Sequence, residues 1–345
     1  MKNLPLLGFL CLSFSLPVVS APIASGPSGY HLIDSLVLGG EGGWDLYGID
    51  TAAHRLYISR GTRVQVVDCA KNSIIGEIPN TNGVHGIAVA SALGKGFTSN
   101  GKDSSVTVFD LKTLKQLVII KVQASKPDAI LFEPISKRIF VFNGGSNNVV
   151  AISAMNNAVI GAVSFEGKPE LAVADEKGHV FVNLEDKSLV VMFDAATLKV
   201  LHTWPLAPGK EPTGLSIDRK NHRLFSACGN NLMIVMDSDS GKIVAQLPIG
   251  GGVDGAGFDP STNYAFSSNG EGNLTVVREE SPLKFSVLEN VATRRGARTM
   301  VVDEKTHLIY MVSARFGLPP APTQEHPHPR PPIEAGSVTL YVFGS

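Results

Sequence analysis

Residues 128–153 read DAILFEPISKRIFVFNGGSNNVVAIS, three short β-strands separated by two turns. Val, Ile and Phe give the strands their character. The ISKR segment at 135–138 and the Gly/Asn run after Asn143 supply the turns. Elsewhere in the chain a fourth, outer strand follows the same trio, as IIGEIP at 74–79 and KIVAQLP at 242–248.

The first of these strands recurs along the whole chain as a polar residue, a small or apolar run and usually an acid. It reads DLYGID from Asp45, HGIAVA from His85, DAILFE from Asp128, ELAVAD from Glu170, TGLSID from Thr213, DGAGFD from Asp254 and RTMVVD from Arg298. The starts are 40, 43, 42, 43, 41 and 44 residues apart. That period fits one four-stranded propeller blade, and the β-rich content excludes the helical solenoids of similar repeat length. A β-sandwich does not repeat a four-strand unit seven times in register. The fold class is therefore all-β, a seven-bladed β-propeller. The seventh unit has strands at 299–303, 308–313 and 337–343 but no outer strand, whereas HLIDSLVL at 31–38 is an outer strand without a blade. We expect the N-terminal strand to join the last blade and close the ring.

The 345 residues are 43% hydrophobic and 18% charged, enough apolar material for one cooperative propeller of this length. A net charge of −1 argues against non-specific nucleic-acid binding. Lys2 followed by LPLLGFLCLSFSLPVVS reads as a secretory signal peptide, and no later segment is apolar enough to span a bilayer. The expected organisation is a signal peptide at 1–20, a short linker at 21–29 and the propeller at 30–345. The mature protein is expected in the periplasm or secreted, as a monomer without a membrane span. Cys69 and Cys228 fall on different blades and read as thiols without a bridge.

The second strand of the unit carries an aromatic-x-x-Asn pattern: Phe97 to Asn100, Phe140 to Asn143 and Phe266 to Asn269. Tyr57, Phe225 and Tyr310 keep the aromatic but end on Arg60, Cys228 and Ser313, and blade four shortens the pattern to Phe181 and Asn183. The chain resembles the YVTN-type β-propeller repeat family, specifically its YncE-like exported members. The stretch from Phe316 through a Pro-rich segment is similar to that family as well. The resemblance implies a seven-bladed exported fold and leaves the activity open.

In a propeller, the start of the inner strand and the turn between the second and third strands share one face. This places Asp45, His85, Asp128, Glu170, Thr213, Asp254 and Arg298 around one mouth of the channel, with Asn100, Asn143, Asn183 and Asn269 expected beside them. Arg315, with Arg298, makes one side of that face basic. The expected ligand-binding set is Asp45, His85, Asp128, Glu170, Asp254, Arg298, Asn100, Asn143, Asn269 and Arg315. Only neighbouring residues of such a ring reach one ion, so His85, Asp128 and Glu170 form the expected metal set, for a divalent cation. The long turn at 315–336 is expected to run extended over the mouth, because its prolines fix φ. His326 and His328 within it do not share a face of a three-residue-per-turn helix.

GGGVDG at 250–255 matches a dinucleotide fingerprint but precedes a strand without a following helix. GxSxG, HExxH and CxxC are absent from the sequence, and no catalytic residue is assigned. The leading expectation is a binding or scaffold protein that meets a small molecule or protein partner at the mouth face. Alternatives are a metal-dependent hydrolase or lactonase using the acidic funnel, and single-stranded nucleic-acid binding, which the charge disfavours.

Overall fold

The computed structural model describes residues 26–323 and 329–345. Within them the sequence period becomes seven antiparallel four-stranded sheets. We name the strands of each blade a to d from the channel outward. Strand a runs from Tyr47–Asp50 in blade one through Val84–Ala90, Pro127–Glu133, Pro169–Ala174, Pro212–Asp218 and Val253–Asp259 to Met300–Asp303 in blade seven. Blade seven completes itself with the N-terminal strand. His31–Val37 pairs antiparallel with Thr339–Gly344, which pairs with Leu308–Ser313 and then Met300–Asp303. The ring thus closes by joining the two ends of the chain. Tyr30, just before the closing strand, anchors it: its ring lies 5.1 Å from that of Phe266, and its hydroxyl donates to the His307 carbonyl at 3.0 Å.

The core is divided into layers between blades, because each twisted sheet is apolar on both faces and packs on two neighbours. The aromatic residue of strand b is buried in all seven blades: Tyr57, Phe97, Phe140, Phe181, Phe225, Phe266 and Tyr310. Tyr57 of blade one meets Phe109 of blade two at 5.5 Å. Phe140 of blade three meets Phe193 of blade four edge-on at 5.2 Å. Removing one such ring costs about 3–5 kcal/mol through lost burial and the cavity it leaves.

The short turns follow from local chemistry. Asp110, Asp194 and Asp237 end strand c, and each carboxylate accepts the backbone N–H three residues on, at 2.7, 2.6 and 2.9 Å. The described residues include only two single-turn 3₁₀ segments, Ser91–Leu93 and Glu185–Lys187. Among them no helix is long and apolar enough to cross a membrane. Cys69 and Cys228 are free thiols. Residues 1–25, which include the expected signal peptide, and residues 324–328, with His326 and His328, lie outside the described residues.

Candidate functional site

A repeated irregularity builds the mouth. In blade two, Val84 pairs with Asn100 and Ile87 with Thr98, so strand a spends three steps where strand b spends two. The same slip occurs at Pro127/Ile130, Pro169/Ala172, Pro212/Leu215 and Val253/Gly255. Each bulge contains the ring residue of its blade: His85, Asp128, Glu170, Thr213 or Asp254. A bulge re-aims a side chain that regular pleating would send elsewhere.

Hydroxyl groups brace the ring positions within and between blades. Ser59 Oγ accepts the Asp45 N–H at 2.9 Å, and Ser99 Oγ accepts the Gly86 N–H at 2.9 Å. The Ser99 hydroxyl donates onward to the Asp128 carbonyl, and Ser268 donates to the Arg298 carbonyl at 2.5 Å. At the closure between blades seven and one, Thr299 Oγ1 donates to the Asp45 carbonyl at 2.8 Å. Tyr47, whose hydroxyl accepts the Val312 N–H at 3.1 Å, stands 2.9 Å from that Thr299 oxygen.

Three ring residues from blades one to three converge. His85 Nδ1 is 2.6 Å from Asp45 Oδ2 and 3.7 Å from Asp128 Oδ1. One potential ligand atom from each of the three lies within 4.8 Å of the others. The Asp45 hydrogen bond pushes the His85 pKa upward against burial, with Asp128 and Glu170 adding to it. Burial pushes the Asp128 carboxyl upward, opposed by the charge of His85. Gly101 makes room for the imidazole: a Cβ there would stand 2.8 Å from the ring Cδ2 and Nε2.

The rest of the ring is differently compensated. Lys168 Nζ bridges Glu170 and Glu185 at 2.5 Å each. Burial pushes the Glu170 carboxyl upward while Lys168 pulls it down, and the two carboxylates hold the ammonium charged. Arg298 Nε pairs with Asp254 Oδ2 at 3.0 Å. Burial pushes Asp254 up to about 6, opposed by Arg298 and reinforced by Asp45, Asp128 and Glu185. Asp254 of blade six therefore senses Asp128 of blade three across the channel. Below the mouth lies a cavity of about 100 Å³, lined largely by apolar side chains such as Leu46, Ile87, Ile130, Leu171 and Met300.

Glu170 thus falls outside the converging trio, and Asp45 joins His85 and Asp128 instead. Lys168, two residues earlier in the chain, already pairs with Glu170. That spacing was the available signal. Glu185, the other partner of Lys168, comes from the b–c turn of blade four.

The asparagines are placed differently from the sequence expectation. Asn100, Asn143 and Asn269 are buried inside their blades. Asn100 donates to Thr107 Oγ1 at 2.9 Å and Ser105 Oγ at 3.1 Å; Asn269 donates to Asn273 Oδ1 at 2.7 Å and Thr275 Oγ1 at 2.9 Å. Asn143 donates to the Val141 carbonyl at 2.8 Å and to Asn148 Oδ1 at 3.0 Å. Both faces of strand b are covered by adjacent blades, so neither leads to the mouth. They tie strand b to strand c and do not face solvent. Arg60, in the asparagine position of blade one, is likewise buried and donates to the carbonyls of Gly39 and Gly42 at 2.8 and 3.2 Å. It fixes the loop that leads to Asp45.

Arg315 stands apart from the ring, exposed and paired with Glu334 at 2.8 Å. The pair marks the base of the Pro-rich arm, where Phe316 bridges to Ile333 and its ring lies 6.3 Å from that of Trp44, the neighbour of Asp45. On the opposite face, His54, His222 and His307 occupy turn positions with φ of 52°, 57° and 61°. Their recurrence follows the turn geometry.

No family model matches the chain, and no curated protein matches it. Among solved structures the chain is similar to the hydrazine synthase of Kuenenia stuttgartiensis, with a TM-score of 0.65 and 16% identity over 78% of this chain and 92% of that one. At that identity the likeness shows the propeller fold alone.

Proposed function

We propose that this protein is an exported binding propeller, of the YVTN type, that takes a small positively charged ligand at the channel mouth. The observation that carries this reading is the charge gathered by the strand a ring. Asp45, Asp128, Glu170, Glu185 and Asp254 face one another's fields, and among the described residues their lysine and arginine ion-pair partners are Lys168 and Arg298. A partly buried ring with low-dielectric walls focuses such a potential and attracts a cation. The apolar lining beneath would accept a short hydrocarbon part of the ligand. Export rests on the reading of residues 1–20, and the family on the strand b pattern.

A protein partner is the second reading, favoured by the Pro-rich arm beside the mouth. Leu318 on that arm is 90% exposed and so open to contact.

Calorimetric titration with putrescine, and with glutarate as an anion of similar length, tests the first reading. Putrescine should bind, more weakly as salt rises, and should lose affinity in an Asp45→Asn/Asp128→Asn double variant. Equal binding of glutarate, or no response to either, overturns it.

A further inference from the structure

We infer that Asp45, His85 and Asp128 form a binding site for one divalent first-row transition-metal ion, an inference that rests on the cation-accepting mouth proposed above. The mouth as a whole draws a cation; these three residues select its kind and place.

Charge is compensated unevenly around the ring. Glu170 has Lys168, and Asp254 has Arg298. Among the described residues, Asp45 and Asp128 have no lysine or arginine within 4.0 Å, and each has His85 as its one ion-pair partner. Two carboxylates sharing one imidazole keep at least one negative charge whatever the proton on the histidine does. Both sit in a setting where solvent compensates only in part, since the side chains of Asp45 and Asp128 are 21% and 31% exposed. A divalent ion supplies the missing positive charge at the point where the three side chains meet.

The spacing of the donors fits an ion as well. The separations of 2.6 and 3.7 Å from His85 Nδ1 bracket the spacing of neighbouring donors around an ion bound at about 2.0–2.2 Å. An ion would displace the proton shared by His85 and Asp45. One imidazole with two carboxylates suits zinc or manganese and falls short of the six to eight oxygens that calcium takes.

The donors are also held before any ion arrives. The Asp45 backbone is fixed on both sides, its N–H by Ser59 and its carbonyl by Thr299. The His85 carbonyl accepts the Leu46 N–H at 3.1 Å, and the Asp128 carbonyl accepts the Ser99 hydroxyl. Three successive blades therefore present one donor each from a braced backbone, as a site requires when its ligands come from separate strands. Three protein ligands leave coordination positions open toward the mouth, through which a bound molecule can reach the ion.

The test is equilibrium dialysis of chelator-stripped protein, residues 21–345, against Zn²⁺ and Ca²⁺, with elemental analysis as the readout. One Zn²⁺ per chain is expected, with no matching uptake of Ca²⁺. His85→Gln, Asp45→Asn and Asp128→Asn should each weaken zinc binding by at least about 10–100-fold. Asp254→Asn and Glu170→Gln, in the same ring but outside the trio, should bind zinc within a few-fold of wild type. Circular dichroism of each variant separates a lost site from a lost fold, and a variant that unfolds is replaced by Gly101→Ala, which crowds the imidazole. No zinc uptake, or equal loss in Asp254→Asn and His85→Gln, overturns the inference. If zinc fails while putrescine still binds, the cation-accepting mouth stands without this site; if both fail, both fall.

Discussion

Asp45 Oδ2 and His85 Nδ1 lie 2.6 Å apart although 40 residues separate them in the chain. The contact links equivalent positions of two consecutive blades, so one period of sequence becomes one hydrogen bond in space. Asp128, one blade further, completes the group. A propeller thereby converts a repeat that looks structural into a constellation of donors, and the seven blades need not contribute alike.

The buried asparagines separate stability from binding. Asn100→Ala and Asn269→Ala remove side chains that join strands b and c; the first strands the hydroxyls of Thr98 and Thr107, and the second removes the bonds to Asn273 and Thr275. Each should cost about 1–3 kcal/mol in denaturant unfolding and leave putrescine affinity unchanged. A loss of affinity in a folded Asn100→Ala protein would return that residue to the mouth.

Gly96 faces Phe109 across the strand pair of blade two. A Cβ at Gly96 would stand 2.1 Å from the Phe109 Cζ, and Phe109 is itself pinned against Tyr57. Gly96→Ala should therefore destabilise by about 1–3 kcal/mol through overpacking, measured by thermal or chemical unfolding. A neutral or stabilising result would mean that the ring has room to move.

Tyr30 tests the closure. Its ring is 1% exposed, between Phe266 of blade six and the closing strand of blade seven. Tyr30→Ala should cost about 3–5 kcal/mol, and hydrogen exchange should quicken first along His31–Val37 and its partner Thr339–Gly344. Faster exchange in a distant blade instead would contradict a closure at this point.

A buried acid on the far face adds a pH dependence to the stability. Burial, with Asp218 beside it, pushes Glu279 up to about 7. Glu279 Oε2 is buried without a hydrogen-bond partner. The folded protein then holds a proton that the unfolded chain releases near pH 4.5. The folded state binds more protons between about pH 4.5 and 7, so stability falls as pH rises through that window. Glu279→Gln removes the proton step. Its melting temperature should match wild type near pH 4.5 and exceed it at pH 8. Parallel curves for the two proteins would show that Glu279 does not titrate in this range.

The fold was legible because each blade repeats its own alternation of apolar residues and turns, and because HLIDSLVL was left without a blade. The ring of strand a residues was legible for the same reason. Two features were not. The bulge at each ring position adds a residue, and period-two alternation cannot count it, so the side of the strand occupied by His85 or Asp128 had to be seen. The interior position of Asn100 depends on the next blade covering strand b, which is a tertiary fact. Lys168 shows a third limit: its proximity to Glu170 was visible in the chain, but its bridge to Glu185 requires the b–c turn of blade four to fold back over it.

The most direct measurement is anomalous diffraction at the zinc edge from crystals grown with Zn²⁺. The account predicts one peak at the mouth, bonded to His85, Asp45 and Asp128 at about 2.0–2.2 Å. An empty mouth, or a peak only at the His179–Asp175 or His222–Asp239 pairs of the opposite face, would contradict it.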